Sequence, residues 1–341
     1  MKKKSLIIGF GRRAQNIILP ALNLNDHDIY IYSKTISRIE EYKTNFKFEI
    51  LQNLSDEKIS FVDNIFISTK KESYEDLINN ILNIKKTKNI KLFVDTSLSY
   101  YFYKINHFKN NFQDFIISED EIFDPINLII KNIIRDNKNL KLFKINLNYY
   151  GYIYHSISQI MHILKFEGDG IMNSKIKYAF FLNFRKLKYF LKINETKIYL
   201  KNKRDWNNSN SNIELFFKQP NDYNKIKKYN FNYNFLEGLF NGFEVNNNKF
   251  DNNEIRKLSE KFRKFCYDFK YNPDRPNQIK ILSFYLMCKF YEENTLKNNI
   301  DDYIKCEYFA SLLTNLRILI NLNFNNAYKI QKLLYKLKNR I

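Results

Sequence analysis

Three cysteines, Cys266, Cys288 and Cys306, are all that 341 residues contain. They are odd in number and far apart, so they form neither a disulfide framework nor a zinc spacing, and they fit a reducing compartment. Histidine is almost as scarce, with four residues. Long apolar runs are missing as well, which excludes a membrane-crossing helix. The start, MKKKSLIIGFGRR, superficially resembles a secretory signal, but its apolar core is only a few residues long before glycine and arginine interrupt it. A cytoplasmic protein is expected. Glycine is rare too, seven in all, and two of the seven stand in one tripeptide, Gly9-Phe10-Gly11.

That tripeptide lies in Ser5 to Leu22, SLIIGFGRRAQNIILPAL, around which the rest of the chain is read. Leu6-Ile7-Ile8 is a buried-strand run, and Ala14, Ile17, Ile18 and Ala21 recur at helical spacing after the glycines. Strand, tight turn and helix in that order suit a dinucleotide. Gly9 permits the sharp turn, Gly11 lets bare backbone approach a pyrophosphate, and Ala14 lets the helix pack closely on the strand. Asp28 to Tyr32 reads as a second strand, at whose end an acidic residue would hold the ribose 2′-hydroxyl of NAD. None is there. Ser33, Lys34, Thr35 and Arg38, with Arg12 or Arg13 nearby, suit a 2′-phosphate, so NADP is the expected cofactor.

Alternation continues through a strand at Asp63 to Ser68, a helix carrying Tyr74, Leu77, Ile78, Ile81 and Leu82, and a strand at Lys91 to Asp95. Strands separated by helices of this length make a parallel sheet with right-handed crossovers. Its ligand is expected outside the carboxyl ends of the strands, which brings Gly9 to Arg13, Ser33 to Thr35, Ser68 to Lys71 (Ser68 and Thr69 foremost) and Asp95 to Leu98 around one crevice.

Beyond Glu119 the pattern changes. Asp124-Pro125 opens a helix with Ile126, Ile129, Ile130, Ile133 and Ile134 on one face. From Lys175 the chain becomes strand-like, at Tyr178 to Phe184, Lys188 to Ile193, Lys197 to Lys201 and Ile213 to Phe217, with a hairpin turn at Asn194-Glu195; consecutive strands without helices between them imply an antiparallel sheet. Asn221 to Asn253, rich in Asn and Lys, is low in complexity and carries no assignment. Helices are expected again at Ile279 to Tyr291 and Ile304 to Leu322. A last basic amphipathic helix, with Ile330, Leu333, Leu334 and Leu337 inside, is expected to dock on the protein's own surface. The fold class is α/β: a dinucleotide-binding Rossmann domain over 1–119, then an α+β domain over 120–341 with an open, mainly antiparallel sheet.

Basic residues outnumber acidic ones by 56 to 36, a formal charge of +20. Only 11 of the 56 are Arg. The chain is saturated with Lys, Asn, Ile, Phe and Tyr, all served by A/T-rich codons, and the cations are scattered without a continuous tail. A nucleic-acid partner is therefore not expected.

An N-terminal dinucleotide fold followed by a helix and an open antiparallel sheet resembles the glucose-fructose oxidoreductase and inositol dehydrogenase superfamily, Gfo/Idh/MocA. LIIGFGRRAQNIILPAL matches its opening strand and helix, including the proline at Pro20, and IFISTKKESYEDLI matches its fourth strand and helix. The resemblance runs over roughly residues 5 to 165 and is architectural beyond that. It implies hydride transfer between a nicotinamide cofactor and a small polar substrate, a sugar, a sugar nucleotide or an imine-like metabolite, and homo-oligomers formed through the C-terminal sheet. The family's catalytic signatures have changed. Where it has Glu-Lys-Pro, this chain has Asp95, Thr96 and Ser97, and a threonine hydroxyl cannot serve as an ordinary acid or base near neutral pH. Where it has Asp and then His four residues later on a helix, this chain has His155 and Gln159, with His162 one more turn along. His155, Ser158, Gln159 and His162 share one helical stripe, opposite Ile153, Ile157, Ile160, Met161 and Leu164. His155 or His162 is the candidate for proton transfer, with Tyr154 or Tyr152 assisting. Two helical turns, roughly 10 Å along the axis, keep both histidines from one zinc ion, and no metal is expected. A relative that keeps the nucleotide fold but has lost turnover is the alternative.

Overall fold

The computed structural model describes residues 2–34, 37–55, 59–70, 73–83, 87–95, 108–148, 153–165, 175–178, 182–183, 186–193, 196–201, 213–220, 222–293 and 322–323. The chain forms two compact units, Met1–Asp124 with Lys257–Asp301, and Pro125–Arg256 with Asp302–Ile341.

In the first unit, β1 (Lys4–Ile8), β2 (Asp28–Tyr32), β3 (Glu49–Ile50), β4 (Asn64–Ile67), β5 (Lys91–Asp95) and β6 (Asp114–Ser118) form a sheet of order β3-β2-β1-β4-β5-β6. Every pairing in it is parallel. A parallel sheet covered on both faces demands apolar residues without alternation. The central strands meet that demand, since all of β4 is buried and only the first residue of β1 is not. A π-helical turn, Ala14–Ile18, leads into α1 (Leu19–Leu24); α2 (Ser37–Glu40) and α3 (Tyr74–Leu82) follow in the first half of the unit.

Part of the cover comes from far along the chain. The expected helix at Ile279 to Tyr291 is the longer α7, Arg275–Glu292, begun by Asp274, whose carboxylate accepts from the amide of Asn277 at 2.8 Å. A helix with one exposed face would show an apolar stripe, whereas α7 buries residues all the way round, Ile279, Leu282, Phe284, Met287 and Cys288 among them. Phe284 reaches Phe66 of β4 at 5.7 Å between ring centres, and Phe66 stacks on Phe93 of β5 at 4.4 Å. The helix end is fixed by polar contacts. Lys91, pushed below its usual pKa by burial, donates to the carbonyl of Tyr291. His27 links the hydroxyl of Ser5 at 2.7 Å to the carboxylate of Glu292 at 2.8 Å.

In the second unit, α4 (Ile126–Asp136) leads to β7 (Lys141–Asn148) and α5 (Ile153–Lys165). A sheet of ten strands follows, in which β8 (Lys175–Tyr178), β10 (Lys186–Ile193), β11 (Thr196–Lys201), β12 (Ile213–Gln219), β13 (Asp222–Leu236), β14 (Leu239–Val245), β15 (Asn248–Lys249) and β16 (Leu322–Asn323) join β7 in the order β15-β14-β13-β12-β7-β11-β10-β8-β16, and β9 (Leu182–Asn183) pairs with β10. It is antiparallel except at β11 with β7. The expected strands at Lys188, Lys197 and Ile213 are β10, β11 and β12, and Ile193 stands opposite Thr196 as the predicted hairpin requires.

The Asn/Lys-rich passage is the largest departure from expectation. It is a hairpin of β13 and β14. Tyr229, Phe231, Tyr233 and Phe235 alternate with Lys228, Asn230, Asn232 and Asn234, and the rings meet Phe217, Phe243 and Phe240 across the strands. Its turn, Glu237-Gly238, has both φ angles positive (53° and 81°), and so has the next turn, Asn246-Asn247 (53° and 65°), the geometry that joins twisted strands by two residues. A helix at Asn253–Asp268, α6, was not expected either. Ile255, Leu258, Phe262 and Phe265 are among its buried positions, and the Asn252 side chain accepts from the amide of Glu254 at 2.9 Å. The helices expected at Ile304 to Leu322 and around Ile330 to Leu337 lie outside the described residues, apart from β16.

Phe284 is fully buried among aromatic rings. Phe284→Ala should cost about 3–5 kcal/mol in urea unfolding, whereas Tyr267→Ala, at a ring 84% exposed, should stay within about 0.5 kcal/mol of wild type.

Candidate functional site: a glycine turn at the carboxyl edge of the parallel sheet

The two glycines do different work. Gly9 takes φ +92°, and its amide donates to the carbonyl of Tyr32 at 2.8 Å, at the end of β2. A Cβ placed on it would lie 2.4 Å from the carbonyl oxygen of Ser68 and 2.5 Å from the methyl of Thr69. Gly9 is therefore glycine because β1 and the chain leaving β4 touch there, and no other residue adopts that backbone without strain. Gly11 is exposed, and a Cβ on it would meet nothing within 4 Å. The protein's own packing does not require glycine at 11. Bare backbone facing open space, just ahead of a helix whose first amides have no carbonyl of the helix itself to bond, fits a pyrophosphate.

Phe10 points away from that opening. Its ring is buried edge-on to Tyr42 at 5.3 Å and near Phe48 at 6.4 Å. The Gln15 side chain donates to the Phe10 carbonyl at 2.9 Å and accepts from the Tyr42 hydroxyl at 3.3 Å, so the turn is tied to the segment beyond β2. Ala14 is fully buried, as close helix packing requires. Pro20 has no amide to give the carbonyl of Asn16 four residues earlier. The Tyr271 hydroxyl, whose pKa burial pushes up, donates to that carbonyl at 3.5 Å, and a π-helical turn, the form in which such defects appear, lies just ahead of the proline.

The two arginines after the turn separate. Arg12 is exposed. Arg13 is drawn into the sheet edge, with Nε 2.5 Å from Asp95 Oδ1, Nη2 3.2 Å from Asp120 Oδ1 and 3.3 Å from the Ser118 carbonyl, and the guanidinium 5.9 Å from the Phe284 ring centre. Asp95 and Arg13, both expected at the cofactor, are thus held by each other at the carboxyl ends of β5 and β6. Asp120 was not expected; the acidic run Glu119-Asp120-Glu121 directly after a buried strand was the available signal. Ser33 is half-buried and Lys34 exposed at the end of β2, while Ser68 is buried and Thr69 half-buried after β4. Thr35 and Thr96 lie outside the described residues, as do the side chains of Arg38 and Tyr154.

In the second unit, α5 carries the polar stripe of His155, Ser158, Gln159 and His162. Its polar stripe is not an open face: Ser158 and Gln159 are buried, and Gln159 donates to the Asn127 side chain of α4 at 3.4 Å. A buried amide with a partner on the neighbouring helix holds the two helices in register. Only His155 and His162 of the stripe are half-buried. Among the described residues, no group of three or more His, Cys, Asp and Glu side chains has an arrangement that would hold a metal ion, and no helix is long and apolar enough to cross a membrane.

A six-stranded parallel sheet in this order, opening at a glycine turn, defines an oxidoreductase-type NAD(P)-binding Rossmann fold. Residues 4–99 match the family model described as "NADP oxidoreductase coenzyme F420-dependent". No curated protein matches the chain in sequence. Among solved structures, the chain is similar to a super-repressor mutant of Gal80p from Saccharomyces cerevisiae, at 15% identity over 96% of this chain and 99% of that one, with a TM-score of 0.61. It is also similar to the dehydrogenase MviM from Clostridium difficile (16%, 93% and 100%, TM-score 0.55) and to apo scyllo-inositol dehydrogenase from Lactobacillus casei (13%, 92% and 95%, TM-score 0.51). At these identities the likeness is one of fold.

The glycines make a paired test. Gly9→Ala should lose about 3 kcal/mol of stability, from strain and from the clash with Ser68. Gly11→Ala should stay within about 0.5 kcal/mol. Equal losses in denaturant titrations of the two variants would contradict the assignment of Gly11 to a ligand.

Proposed function

We propose that the chain binds NADP at the Gly9–Gly11 turn and is an oxidoreductase acting on a small polar metabolite: a sugar, a sugar nucleotide or an imine-like compound. The observation that carries the reading is the contrast between the glycines. Packing accounts for Gly9, and open space in front of Gly11 is accounted for by a ligand. Backbone amides after Gly11 would bind the pyrophosphate, with exposed Arg12 beside them. Ser33 and Lys34, at a strand end with no acid, would hold the 2′-phosphate, which favours NADP over NAD. Arg13 is neutralised by Asp95 and Asp120 and orders the sheet edge. When bound, the nicotinamide supplies a hydride to the metabolite or takes one from it. The accompanying proton is assigned to His155 or His162, histidine being the residue type most often used for proton transfer; Gln159, buried against Asn127, positions α5.

A second reading, a dinucleotide-binding accessory protein without turnover, is favoured by that burial of Gln159, at the position where the Gfo/Idh/MocA resemblance has histidine. The similarity to Gal80p, a repressor by the description of its mutant, is in keeping with it.

Titration with NADPH, followed by nicotinamide fluorescence, should show saturable binding in the wild type and none in Gly11→Asp; binding left intact in that variant defeats both readings. Oxidation of NADPH across a panel of sugars, sugar nucleotides and imines then separates them. Under the first reading one substrate class turns over, and His155→Ala lowers kcat by about 10²–10⁴. Binding without turnover of any substrate selects the second.

A further inference from the structure

We propose that Asp120 is a ligand-binding residue whose buried oxygen accepts a hydrogen bond from an N–H group of the bound ligand, an inference that rests on the dinucleotide reading above. The Asp120 side chain is 4% exposed. Its Oδ1 takes Nη2 of Arg13 at 3.2 Å, while its Oδ2 is buried and has no hydrogen-bond partner among the described residues. A carboxylate has about four acceptor positions, and a buried one left without a donor is costly, so native proteins fill it.

Its place narrows what the donor is. Asp120 stands two residues after the end of β6, and Arg13, its partner, two residues beyond Gly11, so the empty acceptor belongs to the same carboxyl edge as the glycine turn. The cluster reaches the surface through Arg13 and Asp95, which are 23% and 15% exposed. Two carboxylates share that one guanidinium, which makes the spot hostile to phosphate and receptive to a neutral or cationic N–H donor. A dinucleotide with its pyrophosphate at Gly11 carries such a donor at its far end, the carboxamide of the nicotinamide. An amine or iminium substrate carries the same group.

The test compares three nucleotides and one cation by calorimetry. 2′-Phospho-ADP-ribose has no nicotinamide and reports the phosphate half alone; if it fails to bind, the dinucleotide reading falls and this inference with it. If it binds, NADP⁺ is compared with its 3-acetylpyridine analogue, which lacks only the carboxamide N–H. A preference of about tenfold or more for NADP⁺ in the wild type, abolished in Asp120→Asn, identifies the carboxamide as donor. Equal affinity for the two nucleotides, with benzylammonium bound by the wild type and tenfold more weakly by Asp120→Asn, identifies a substrate amine. Equal affinity without benzylammonium binding means an ordered water only and overturns the proposal, while the nucleotide reading stands. A preference kept in folded Asp120→Asn also overturns the proposal; thermal melting reports whether that variant folds, and Asp120→Ser, which likewise removes the carboxylate, takes its place if it does not.

Discussion

Contact between two backbones, at Gly9 and Ser68, is the constraint from which the first unit follows. β1 and β4 are neighbours in the parallel sheet, and the chain leaves both on the same edge. With no side chain at residue 9 the two exits touch, the amide of Gly9 reaches Tyr32, and the following helix starts directly over the end of β1. A single added carbon would push apart β1, the exit of β4 and the entry to α1 together. The small residue further on, Ala14, continues the same economy of space. What is left in front of Gly11 is an opening that the rest of the packing does not need.

Charge organises the same edge in a second way. In a chain with 20 more bases than acids, the arginine nearest the sheet is held by carboxylates. Arg13 ties the segment after β1 to the ends of β5 and β6, while Arg12 faces solvent. Neighbouring residues of one type thus divide into a structural and a surface role. Helix periodicity alone does not separate them, because the partner acids lie 82 and 107 positions away in sequence.

The parallel sheet was legible because buried strands show as short unbroken apolar runs, as in Leu6-Ile7-Ile8 and Ile65-Phe66-Ile67, and because glycines are so few that a pair of them stands out. The hairpin of β13 and β14 was hidden by composition. Its outward positions are Asn and Lys, which resemble low-complexity sequence until the alternation with Tyr229, Phe231, Tyr233 and Phe235 is followed. Helix α6 has the spacing Ile255, Leu258, Phe262 and Phe265 in a segment otherwise charged, and was masked in the same way. At the site, Gly9 and Ala14 stand out by residue type because close packing demands small residues there, whereas no packing contact demands the glycine at 11. Asp120, the embrace of Arg13 and the burial of Gln159 depend on partners distant in sequence, and residue spacing does not encode them.

Helix α7, which buries itself against β4 and β5 of the first unit, begins at Arg275, after β7 to β15 of the second unit have already been made. On the ribosome, the parallel sheet therefore waits with part of its apolar face bare until nearly three hundred residues have emerged. Domains that fold as contiguous units escape such a delay. The nascent protein must shelter that face through most of its own synthesis, and the moment at which Phe284 and Tyr291 leave the exit tunnel marks the earliest point at which a finished nucleotide-binding unit exists.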